Sequence, residues 1–158
     1  MAPPRPVHGL SCEDTFRAAA GKVIWTRYEE MMSFAEVALA GRDIEGVHDM
    51  RVASRRLRAA LELFEDVFPG KRLRPMLREV KRLADALGEV RDRDVLLARL
   101  GKEQQTRSPS QRLALGDLGE DLKEERNIAR RDLKMTIERL EREDFGRHFL
   151  ALVAEETT

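Results

Sequence analysis

The chain has 158 residues, the length of one domain, and its 42% hydrophobic content is enough to build a core without disulfide staples. One cysteine, Cys12, excludes a disulfide framework and a thiolate zinc site made by a single chain. Charged residues reach 37% and aromatics only 5%, which favours long amphipathic helices over a β-sandwich or barrel, and a net charge of zero removes any global polyanion signal.

The elements follow in chain order. Residues 1–10 hold three prolines and read as a disordered arm, with residues 11–158 forming one helical domain. Ser11, with Asp14 three residues on, reads as the start of a helix whose apolar positions Phe16, Val23, Ile24, Met31, Phe34, Val37 and Ala38 carry it to Gly41. Asp43 is the expected cap of a second helix over 44–68, stopped by Pro69-Gly70. A third is expected from Pro75 to about Leu100, with Gly88 inside it marking close packing or a kink. Residues 101–110 read as a linker. A fourth helix is expected over 109–142, and a short final one after Asp144. The fold class expected is therefore all-α: an antiparallel four-helix bundle with a short C-terminal helix. No apolar run reaches membrane-spanning length, so the expectation is a cytoplasmic protein with no membrane partner.

Charge is spread unevenly. Residues 51–100 carry an excess of five positive charges, and 23 of the 29 basic residues are arginine. On a helix, Val47, Met50, Leu57, Leu61 and Phe64 share one face, while His48, Arg51, Arg55 and Arg58 fall together on a neighbouring one. No acid lies between Asp49 and Glu62 to relieve the like charges at Arg51 and Arg55. Two readings fit: a face neutralised by water or by neighbouring helices, or a binding site for a polyanion. Arg74, Arg78 and Lys81 give the third helix a second basic edge, but Asp85, Glu89, Asp92 and Asp94 offer it internal partners. Arg126, Arg130 and Lys134 read as a solvated face, because Glu125, Asp132 and Glu138 are close in sequence.

Other chemistry is sparse. Glu45-Gly46-Val47-His48 matches one of the two Glu-x-x-His motifs that a di-iron bundle needs beside two more glutamates, but nearby arginines oppose a cation and no metal or other cofactor is expected. There is no phosphate-binding Gly-rich loop and no G-x-S-x-G elbow, so no catalytic residue is assigned. With few aromatics, base stacking on nucleic acid is not expected.

The segment Val47-His48-x-Met50-Arg51-Val52-x-x-Arg55-Arg56-Leu57-Arg58, followed by Leu61 and Phe64, closely resembles the signature helix of the CHAD (conserved histidine α-helical domain) family. Leu87-Gly88-x-Val90-Arg91-Asp92-x-Asp94-Val95 resembles the family's second signature, and Gly41-Arg42-Asp43-Ile44-Glu45 its lead-in. The resemblance implies an all-helical domain of two four-helix repeats whose basic residues line a central cavity that binds inorganic polyphosphate, at times on polyphosphate granules. It implies, by position, that His48, Arg51, Arg55 and Arg58 face that cavity, with Arg78, Lys81, Arg82 and Arg91 as further contributors and Arg91-Asp92 alternatively a structural ion pair. One departure matters: His148 is followed by Phe149, Leu150 and Ala151, so the His-x-x-basic motif of a second repeat is missing. The chain resembles the N-terminal repeat alone, either as a fragment or as a half-length protein that rebuilds the cavity as a homodimer. The function expected is non-catalytic polyphosphate binding. A metal-dependent phosphate-processing enzyme and a module for an acidic partner or nucleic acid are the rival readings.

Overall fold

A computed structural model describes residues 3–158, and among these residues the chain is all-α, with no strand. Helix α1 (Phe16–Met32) starts later than the sequence suggests. Ser11 and Asp14 spend their capping groups on a turn of their own: the Ser11 N–H donates to Asp14 Oδ2 at 2.9 Å. Thr15 caps α1 instead, its Oγ1 accepting from the Ala18 N–H at 3.1 Å. Nor does the helix run unbroken to Gly41. The Ser33 hydroxyl donates back to the Glu30 carbonyl at 2.7 Å, a bond that competes with the helix ladder, and the chain bends into the short α2 (Ala35–Ala40). Gly41 ends α2 in the left-handed region, φ 63°, as glycine readily does.

Asp43 caps α3 (Ile44–Leu63) as expected, accepting from the Glu45 N–H. This helix stops five residues short of Phe68, because Phe64 leaves helical geometry and a 3₁₀ turn over Glu65–Val67 follows. Phe64, Val67 and Phe68 are all buried there, and Phe64 meets the Phe16 ring at 5.0 Å. Pro69-Gly70 opens the next helix as well as closing the last: α4 spans Gly70–Gln104. Pro75 lies inside α4, where its missing N–H forfeits a single bond to the exposed Lys71 carbonyl end. The expected linker shrinks to residues 105–108. Ser108 then opens α5 (Pro109–Arg142), its N–H donating to Gln111 Oε1 at 3.2 Å. Asp144 precedes α6 (Phe145–Thr157) without capping it; at φ 56° its carboxylate takes Arg147 Nε at 2.7 Å.

Helix α3 lies at the centre, with Val47, Met50, Leu57 and Leu61 fully buried along one face. Packed on one flank is α1, where Arg56 of α3 reaches Glu30, and on the other is α4. Helix α5 runs antiparallel to α4, since Glu79 pairs with Arg139 while Asp94 meets Arg126. Helix α6 folds back along α1, with Tyr28 stacked on Phe149 at 4.9 Å. Beyond Asp94 on α4 and before Gly119 on α5 no residue is fully buried, so the two helices project past the core as a hairpin. The described part of the expected disordered arm lies along α1: the Arg5 N–H donates to Glu30 at 3.2 Å and Lys22 Nζ to the Gly9 carbonyl at 2.6 Å. Met1 and Ala2 of that arm fall outside the described residues. Among the described residues no helix is long and apolar enough to cross a membrane.

Candidate anion-binding surface

The 3.6-residue period that buries Met50 and Leu57 sets Arg51, Arg55 and Arg58 on the flank of α3 beside α4. A Cβ placed on Gly88 of α4 would stand 3.6 Å from Arg51 Nε, so the two helices meet at this point. Arg51 is half-buried, and Arg55 and Arg58 are exposed. Arg58 holds Glu62 one turn along, Nε to Oε1 at 2.8 Å, and this hydrogen bond raises its already high pKa, with Asp85 of α4 adding a smaller attraction. Facing α3 across the groove, Arg74, Arg78 and Lys81 occupy the same line of α4 as Gly88, and all three are exposed. Among the described residues, Arg51, Arg55, Arg74, Arg78 and Lys81 form no ion pair within 4.0 Å of a carboxylate. Asp85, which lies on the same line, leaves the groove with a positive excess.

The two acids of α1, Glu29 and Glu30, do not cover this surface. Buried Glu30 sits on the opposite flank of α3, held by Arg56 at 2.6 Å and by Arg27 at 2.5 Å. Glu29 accepts from Trp25 Nε1 at 3.0 Å and lies 3.6 Å from Arg5. His48 occupies the edge of the stripe near the start of α3, half-buried, where its ring nitrogen and the carboxylates of Glu45 and Asp49 all lie within 4.8 Å of one another. These three are the residues that could hold a divalent cation, and both acids have interactions of their own.

Arg82 does not join the groove. It turns to Glu79 at 2.8 Å, and the other oxygen of Glu79 takes Arg139 of α5 at 2.6 Å. Arg91 is half-buried, and the pair with Asp92 anticipated from the sequence does not form among the described residues; Asp92 is exposed. The acid near Arg91 is Asp94, whose side chain has no exposed surface and which meets Arg126 Nη1 at 3.6 Å. Burial pushes the Asp94 carboxyl above its ordinary value, and Arg126, Arg130 and Arg91 pull it only part of the way back. Arg130 also reaches α2, donating to the Ala38 carbonyl at 3.3 Å. Sequence reasoning placed Arg126 and Arg130 on a solvated face and read Asp94 as part of the second signature and as a partner for the basic edge of its own helix, not as a buried acid shared with α5. The available signal was register: Asp94 continues the buried line of Leu87 and Val90 at spacings of seven and four.

A family model described as the CHAD domain matches residues 22–157, nearly the whole chain. The chain belongs to the CHAD domain family. CHAD domains are associated in general with polyphosphate binding. No curated protein and no solved structure matches it. In this CHAD domain the arginines of α3 stand on an open, two-helix surface. A partly open pocket of about 270 Å³, with Tyr28, Met31, Met50, Leu83, Ile137 and Phe145 on its apolar side and Glu141, Asp144 and Arg147 on its polar side, lies apart from them.

Proposed function

We propose that this CHAD domain binds inorganic polyphosphate, without cleaving it, in the groove between α3 and α4. The observation that carries the reading is that Arg51, Arg55, Arg78 and Lys81 face a common groove and have no carboxylate partner among the described residues, while Arg56, Arg58, Arg72, Arg93 and Arg139 are all paired. Leaving such cations unpaired costs little in water and leaves their donors available. Arginine offers a planar fork of N–H groups that suits phosphate oxygens, and charge-assisted hydrogen bonds are the stronger class.

In this reading Arg51, Arg55 and Arg58 are the principal contacts, with Arg58 exchanging Glu62 for phosphate. Arg78 and Lys81 form the opposing bank, Arg91 extends it, and His48 donates a hydrogen bond at its edge. Arg82, turned toward α5, contributes only to the long-range field. Two copies related by a two-fold axis would set two grooves face to face, which makes a homodimer the proposed assembly. The proposed setting is the cytoplasm, at polyphosphate granules.

The test is a polyphosphate titration near physiological salt. Wild type is compared with Arg51→Glu/Arg55→Glu, duplex DNA serves as competitor, and mass is read by light scattering. The reading predicts tight wild-type binding that weakens steeply with salt as counterions are released, poor competition by DNA, and loss of binding in the double variant. Absence of wild-type binding returns the stripe to a solvated bundle face. A second reading has one observation behind it, the approach of Glu45, His48 and Asp49. Stoichiometric metal in the purified protein together with orthophosphate release from polyphosphate would favour that metal-dependent enzyme.

A further inference from the structure

The region where α4 and α5 cross beside the start of α3 carries polar atoms that the bundle does not satisfy. Both oxygens of Asp94, Arg91 Nη1 and Arg126 Nε are buried without a hydrogen-bond partner. Buried polar groups are normally paired, so each exception calls for an explanation. Arg93 Nε is also without a hydrogen bond, but it lies 3.4 Å from Glu125 and is accounted for by that acid. What remains is one buried carboxylate beneath three half-exposed arginines, Arg91, Arg126 and Arg130.

The charge count decides the sign of a ligand. One carboxylate against three guanidinium groups leaves an excess of two positive charges, which repels a cation and attracts an anion. Arg91 Nη1 and Arg126 Nε are themselves sealed in, facing the equally unpartnered Asp94 oxygens, but both arginine side chains are part-exposed, so acceptor oxygens would meet them at their open side. A phosphate group supplies several, in a geometry that matches guanidinium forks. The arginines are also held in place. Arg130 is tied to the Ala38 carbonyl at 3.3 Å and fills the space beside Gly41, where any Cβ would collide with its guanidinium. Arg126 is drawn inward by Asp94. Such restraint lowers the entropy lost on binding.

We propose that Arg91, Arg126 and Arg130, held from beneath by Asp94, form a second phosphate subsite on the α4–α5 face. It takes one phosphate group of a condensed phosphate chain. Arg91 lies one helical turn beyond Gly88, which abuts Arg51, so the subsite continues the α3–α4 groove around the bundle. The ligand chemistry rests on the function proposed above, and Arg91 is shared with that groove, but Arg126 and Arg130 are new to it and lie on a helix that contributes nothing to it.

Arginine side-chain Nε–H resonances of the full chain separate the two ideas. Wild type is titrated with inorganic pyrophosphate and then with long-chain polyphosphate. The subsite predicts saturable shifts of the Arg91 and Arg126 signals. It also predicts that Arg126→Gln/Arg130→Gln, checked for unchanged helicity, binds polyphosphate at least about tenfold more weakly, the scale expected for lost hydrogen bonds to charged groups. If Arg51 and Arg55 shift while Arg126 stays fixed, whether or not Arg91 moves, the subsite is overturned, the cluster is an internal network bridged by solvent, and the groove stands. If Arg91 and Arg126 shift alone, the subsite stands and the groove falls. If no arginine signal moves with polyphosphate, both fall.

Discussion

Arg56 of α3 reaches across to Glu30 of α1, Nη1 to Oε1 at 2.6 Å, and so fixes which side of α3 faces α1. Adjacent in sequence, Arg55 and Arg56 are about 100° apart on the helix and meet opposite fates, one exposed and one paired. Glu30 is 3% exposed, so removing it strands the partly buried guanidinium of Arg27 and takes one partner from that of Arg56. Breaking a buried pair from one side typically costs 3–5 kcal/mol, and the part-exposed arginines put Glu30→Ala near the lower end, about 3 kcal/mol. Urea denaturation measures that loss. Polyphosphate affinity, read on the remaining folded protein, should stay within about twofold, because the pair lies on the far flank of α3 and is screened by salt.

Gly88 offers the opposite sign. The sequence invites tight packing as its reason, but a Cβ there makes an ordinary contact of 3.6 Å with Arg51 Nε. Helix interiors favour alanine over glycine by up to about 1 kcal/mol. Gly88→Ala should therefore raise the denaturation midpoint while leaving Arg51 in place. A fall in stability would mean that the two helices lie closer than this distance indicates.

Charge reversal distinguishes the α3–α4 groove from the α5 side of α4. Arg55→Glu places an acid in the groove and should weaken polyphosphate binding at least about tenfold, since both a charge-assisted bond and a favourable field are lost. Arg82→Glu acts from the Glu79–Arg139 side. Screening over a Debye length of about 8 Å leaves it an effect below about threefold. Equal losses from the two variants would show that affinity follows net charge rather than the groove.

Asp94 gives a prediction in pH. Burial raises its carboxyl above the ordinary 3.8, with Arg126, Arg130 and Arg91 offsetting part of the rise. The folded protein thus holds this proton more tightly than the unfolded chain, and the associated stability is full below pH 3.8 and lost as pH rises through the folded value. Asp94→Asn, which keeps the shape and an acceptor, removes that loss. Thermal melts should show the variant at least as stable as wild type at pH 7, with the advantage shrinking toward acid pH. A variant less stable at pH 7 than at pH 4, relative to wild type, would reverse the sign.

The helices that could be read from the sequence were those with strong periodicity and local caps. Asp43 and Ser108 start α3 and α5 where expected, because capping is decided within a few residues. The misplaced boundaries depended on distant contacts. Phe64 and Phe68 break the end of α3 by burying their rings, and Leu73 lets α4 begin before Pro75 because it is already in the core. The site divides in the same way. The α3 stripe was visible because one helix carries it, with no interleaved acid. The Asp94 cluster was not, because two of its three arginines, Arg126 and Arg130, come from a helix more than thirty residues downstream. Nearest-neighbour acids such as Glu125 and Asp132 masked a partner that only the fold brings close.

The α4–α5 hairpin has a practical consequence. Fourteen residues separate Arg91 from Gln105, and at 1.5 Å per residue the turn lies about 21 Å along the helix from the arginines. A fluorophore spliced between Thr106 and Arg107 would ride at the end of this spar, clear of ligand and core alike. On two associated copies, two such lamps would have a separation fixed by the symmetry axis, so energy transfer between them would gauge how the copies are oriented as well as whether they meet.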